Sequence, residues 1–139
     1  MNAAILSVLL VAALSGCASA QICPPDADSF VQQALKQADY LNFGNNEQHA
    51  RAYGDCMASA LARNLRLSDF SNPQIARTVV KALDWAFRGP RPGVLIDRNK
   101  DPRAALLLLD LIAAHAPEES TKQNARELLQ RFQAPPPAQ

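Results

Sequence analysis

The amino-acid sequence predicts an all-α domain, a compact bundle of about five helices, and three observations carry the prediction. Five successive segments repeat apolar residues at intervals of three and four, the period of a helix with one buried face. Asn72-Pro73 and Asp101-Pro102 each put a capping residue before a proline, a pairing that suits the first helical turn. Strand-like character is confined to the short run Val94-Leu95-Ile96.

The first helix is expected over residues 26–41, capped by Asp26 or Asp28, with Phe30, Val31, Ala34, Leu35, Ala38 and Leu41 inward. Gly44-Asn45-Asn46 ends it. A second helix over residues 47–63 turns Ala50, Tyr53, Met57, Ala60 and Leu61 inward and leaves Cys56 on the edge of that face. The third runs from Pro73 to about residue 88, before Gly89-Pro90, with Ile75, Ala76, Val79, Val80, Leu83, Ala86 and Phe87 as its core face. The fourth, over residues 103–115, is apolar nearly all round, interrupted only by Asp110, and is expected at the centre of the bundle. Pro117 opens the fifth, to about residue 132, with Ala125, Leu128, Leu129 and Phe132 inward and Glu118 and Glu119 complementing its N-terminal dipole. Ala134-Pro135-Pro136-Pro137 starts a proline-rich tail.

Trp85 falls about 150° from the centre of the third helix's core face, at 100° per residue. Its neighbours there are Gln74, Thr78, Lys81 and Arg88. An aromatic between two cations suits a partner-binding site made of Lys81, Trp85 and Arg88. The other reading is that a further segment, such as Val94-Leu95-Ile96, covers the indole from that side.

The net charge of +1 argues against a general nucleic-acid binder, which would carry a strongly basic face. Basic residues do gather in the longest connection, residues 88–103, where Arg88, Arg91, Arg98, Lys100 and Arg103 face two acidic residues. Such a run is either solvated or meets phosphate headgroups or an acidic partner. Asp97, Asn99 and Asp101 have the spacing that opens a calcium loop, but Pro102 and Leu108 stand where that loop needs Gly and Glu. No Gly-rich phosphate loop, H-E-x-x-H or G-x-S-x-G occurs, and His49 and His115 stand at no ligand spacing from a cysteine. A non-enzymatic protein without metal or cofactor is expected.

Residues 5–14 form an apolar run broken only by Ser7, with no Lys or Arg before it. About ten apolar residues match the core of a signal peptide and fall short of ~30 Å of hydrocarbon. Leu14-Ser15-Gly16-Cys17 follows and resembles the lipobox of bacterial lipoproteins. The resemblance implies cleavage before Cys17 and lipidation of Cys17 by several acyl chains, palmitate among them. More than one chain anchors stably, at about 0.8 kcal/mol per buried CH₂. It also implies an outer-membrane anchor facing the periplasm, since Ala18 rather than Asp follows the cysteine. Residues 1–16 are then the signal peptide, 17–25 a tether, 26–133 the helical domain and 134–139 the tail. Ala18-Ser19-Ala20 offers a second cleavage site, which would release a soluble periplasmic chain starting at Gln21.

Either cleavage takes Cys17 out of thiol chemistry and leaves Cys23 and Cys56. Two cysteines exported to an oxidising compartment read as one disulfide, closing a 33-residue loop. In the chain-entropy model that closure stabilises by roughly 3 to 4 kcal/mol. A small lipidated all-α domain with one disulfide is similar in size and architecture to the pilotin class, which escorts secretion-system subunits to the outer membrane. The resemblance implies an envelope protein partner; a periplasmic immunity protein or small chaperone is the alternative.

Overall fold

The computed structural model describes residues 23, 25–37, 53–89 and 96–135. The apolar run of residues 5–14 with Leu14-Ser15-Gly16-Cys17, the Gly44-Asn45-Asn46 stop, His49, Arg91, Val94 and Leu95 lie outside the described residues. Among the described residues there are five α-helices and no strand, as the apolar periodicity predicts. They are α1 (Ala27–Gln37), α2 (Asp55–Asn64), α3 (Pro73–Ala86), α4 (Arg103–His115) and α5 (Glu119–Gln133), with a 3₁₀ turn, η1 (Leu67–Ser71), between α2 and α3.

The helices α2 to α5 alternate in direction, as their ends show. The start of α2, the end of α3, the start of α4 and the end of α5 meet at one end of the bundle. There the backbone N–H of Asp101 donates to the Asp55 carboxylate at 3.2 Å, and that of Asp97 donates to the Phe87 carbonyl at 2.8 Å. Arg98 reaches the last carbonyls of α5 at the same end. At the other end Arg77, near the start of α3, pairs with Glu118, just ahead of α5, at 3.6 Å. α1 lies against α2, with the Phe30 and Tyr53 rings 5.6 Å apart.

Packing follows the apolar faces. Val31 and Ala34 of α1, Met57, Ala60 and Leu61 of α2, Ala76, Val79, Val80, Leu83 and Ala86 of α3, and Ala125, Leu128 and Phe132 of α5 are all buried. Each fully buried Leu, Val or Phe side chain contributes about 1.5–3 kcal/mol, against about 0–1 for an exposed ion pair. The apolar seam therefore outweighs the surface pairs. Those pairs set orientation: Arg63 on α2 donates three bonds to the Asp28 carboxylate, two from Nη2 at 3.1 Å and one from Nε at 3.3 Å, and Asn64 adds a fourth at 3.0 Å. The Arg63 guanidinium holds the Asp28 carboxyl below the usual carboxylate range, more than its small loss of hydration raises it.

Capping agrees with the sequence at α3, where Asn72 Oδ1 accepts from the N–H groups of Gln74 and Ile75 and Pro73 occupies the first turn. At α4 the cap is displaced by one residue: Pro102 is the flanking position, and Asp101 Oδ1 accepts from the Arg103 N–H at 3.0 Å.

Two expectations are corrected, and one element is added. The second helix does not run unbroken to Arg63, because Gly54 takes a φ of 55° and α2 starts afresh at Asp55. A side chain at residue 54 would be strained by that φ and would meet the Lys100 side chain at 3.0 Å. α4 is not enclosed on every side: it touches α2, α3, α5 and η1, yet Leu107 is 57% exposed and Asp110 and Ala114 face outward beside it. α3, with neighbours on as many sides, is the more enclosed of the two. The turn η1, which buries Phe70, carries too short an apolar pattern to be read in advance.

Candidate functional site

The sequence singles out three constellations: the Lys81–Trp85–Arg88 group, the cysteine pair and the basic connection, of which residues 96–103 are described. α3 presents Lys81 and Trp85 on successive turns, with Arg88 just beyond its end, but they do not form an open site. Trp85 is 8% exposed and belongs to the core, so little of its indole is open to a partner. The polar sector of the helical wheel misled because α3 is covered there too. Thr78, in the same sector, is fully buried and satisfied by donating its hydroxyl to the Gln74 carbonyl at 2.7 Å. Lys81 stays exposed with its ammonium 5.8 Å from the Trp85 ring centroid, within cation–π range. Arg88 turns to Asp84 at 3.3 Å, and Arg131 of α5 reaches the other oxygen of that carboxylate at 3.3 Å. Lys81 thus lies over a buried indole, and it is Asp84, shared by Arg88 and Arg131, that links α3 to α5.

The basic connection has a structural task. Arg98 donates through Nη1 to the Phe132 carbonyl at 2.8 Å and through Nη2 to the carbonyls of Arg131, at 3.5 Å, and Ala134. Its cation thus sits on the negative end of the α5 dipole and satisfies carbonyls that have no partner within the helix. Lys100 does the same for α3 by donating its ammonium to the Ala86 carbonyl. Arg103 pairs with Asp101 at 2.6 Å and, with its own N–H, holds that carboxyl below the usual range. The turn itself is closed by Asp97, whose Oδ1 accepts from the Asn99 N–H at 3.0 Å. Asp97 Oδ1 and both carboxylate oxygens of Asp101 are thereby held by protein donors. Among the described residues, no group of three His, Cys, Asp or Glu side chains could hold a metal ion.

Sequence reading saw the cations of this segment and missed their targets. The carbonyls that Arg98 caps lie more than thirty residues further along the chain, so no local pattern announces them. Three helix ends and the α2 start are therefore fastened by one short turn, a clasp at one end of the bundle.

Cys23 and Cys56 stand at bonding geometry, with sulfurs 2.04 Å and Cα atoms 5.5 Å apart. Cys56 is the second residue of α2 and buried, so the pair ties the chain ahead of α1 to the core at the clasp end. Next to it the Tyr53 hydroxyl donates to the Asp26 carboxylate at 2.9 Å; burial first, and then this bond, push the phenol above its ordinary value. No helix among the described residues is long and apolar enough to cross a membrane. A scan against protein-family models, a search of curated proteins and a search of solved structures each found no match to this chain.

Proposed function

We propose that the protein is a lipid-anchored component of the cell envelope, attached through Cys17 to the outer membrane and facing the periplasm. Its helical body acts there as a non-enzymatic, protein-binding assembly factor, in the manner of a pilotin. The observation that carries the reading is Leu14-Ser15-Gly16-Cys17 placed directly after an apolar run of signal-peptide length. The cysteine pair at bonding geometry supports export, because disulfides persist in oxidising compartments. Binding is preferred to catalysis because the charged side chains of the clasp and of α3 serve helix ends and ion pairs instead of converging on a nucleophile and a base.

Ala18-Ser19-Ala20 favours a second reading, a soluble periplasmic binder such as an immunity protein or small chaperone. Intact mass spectrometry of protein from a membrane fraction separates the two. A chain starting at Cys17 with a multi-acyl mass supports the anchored protein. A soluble, unmodified chain starting at Gln21 overturns the anchor and leaves the soluble binder.

A further inference from the structure

The clasp end carries, besides three helix ends, the cysteine nearest to the anchor. Cys23 stands six positions after Cys17, and Cys23 is held at Cys56, whose neighbour Asp55 accepts from the clasp residue Asp101. Fully extended, six residues span about 20 Å, and as a flexible tether their typical reach is about 13 Å. The fourteen residues of α3 rise about 21 Å from the far end of the bundle to the clasp. The tether is thus shorter than the body it holds, and it is attached at one end of that body. From this geometry we infer that the clasp end, formed by the α2 start and residues 97–103, faces the lipid surface. The η1 and α5-start end then points away from it. The inference rests on the lipid anchor proposed above and adds an orientation to it.

The occupant of the clasp face is the bilayer, because a covalent anchor within one body length brings that surface to it at high effective concentration. The exposed basic side chains at this end, Arg98 and Arg103, are compatible with a phosphate-rich surface even while they serve carbonyls and Asp101. Uncoupling attachment from orientation requires only a longer tether. About twenty Gly and Ser residues inserted after Ala18 would raise its reach to about 28 Å, beyond the length of the body.

The test uses the full lipidated chain in phosphatidylcholine vesicles that carry a nitroxide on a fraction of the headgroups. Two exposed positions receive a fluorophore, one at a time, through Asn99→Cys in the clasp and Ser120→Cys in the first turn of α5, with the Cys23–Cys56 bond intact. Intact mass on the same samples reports acylation. The expected result is a large loss of emission at position 99 and little loss at position 120, with the difference abolished by the inserted spacer. Acylated protein quenched equally at both positions, or more at 120, overturns the orientation and leaves the anchor standing. Protein without acyl mass overturns both.

Discussion

Reduction of the Cys23–Cys56 bond is the perturbation whose consequence can be worked from the structure most directly. The bond closes 33 residues, and the chain-entropy expression assigns that closure about 12.5 cal/mol/K, or about 3.7 kcal/mol at 25 °C. The native state should lose little else. Cys56 is buried among apolar neighbours, where a free thiol behaves as a small hydrophobe, and α1 keeps its apolar face on α2 and its Asp28–Arg63 pairing. Residual contact between these segments in the unfolded chain lowers the gain, so a loss of roughly 2–4 kcal/mol is expected. Urea unfolding of the purified chain, with and without a phosphine reductant, measures it. The midpoint should fall while the slope rises, since the reduced unfolded chain exposes more surface. Superimposable curves, or two titratable thiols in protein isolated without reductant, would refute the reasoning.

Trp85→Ala should destabilise by about 3–5 kcal/mol in thermal or urea unfolding, as for a core aromatic, whereas Lys81→Ala should cost less than about 1 kcal/mol. A folded Trp85→Ala protein of unchanged stability would return the indole to the surface. Arg98→Gln removes the cation from the end of α5 and should cost about 1–2 kcal/mol, with faster amide exchange at Ala134 and its neighbours; unchanged exchange there would count against the clasp. Asp28 is depressed in the folded state, so its pairing stabilises above the unfolded carboxyl range and is lost as pH falls through the lower folded value. Asp28→Asn should therefore flatten the acid limb of the stability curve below about pH 4, and an unchanged limb would show the pair to be inert.

Apolar periodicity made the helices legible because each buries one continuous face. The cap-then-proline pair at Asn72-Pro73 marked the start of α3 for the same reason: both signals lie within a few residues of what they determine. Three features escaped because their causes are not local. Trp85 sits in a sector that reads as polar, and only the presence of neighbours on several sides of α3 buries it. Gly54 looked like one glycine inside a helical pattern, although its positive φ and the Lys100 side chain lying against it make it a break. Arg98 and Lys100 looked like a solvated charge run. Their acceptors are the ends of α5 and α3, brought to them by the alternation of the helices.

The alternation puts C-terminal carbonyls of two helices at each end, and fastening concentrates at the end of α3 and α5 because the turn of residues 97–101 lies there. A single cationic turn can satisfy both helices. The other end collects the start of α3 and the approach to α5, whose orphan N–H groups need acceptors. Asn72 serves α3, and Glu118 accepts from the Thr121 hydroxyl at 3.2 Å while pairing with Arg77. The Arg77–Glu118 pair is largely exposed and so contributes little against water and salt. The disulfide, the Arg98 and Lys100 caps and the Asp55–Asp101 bond all fall on the opposite side. The body is therefore braced at the end where Cys23 is bonded to it. If Cys17 carries the proposed lipid, a pull there enters the body at Cys23 and passes through Cys56 into α2, the helix that α1, α3 and α4 all contact.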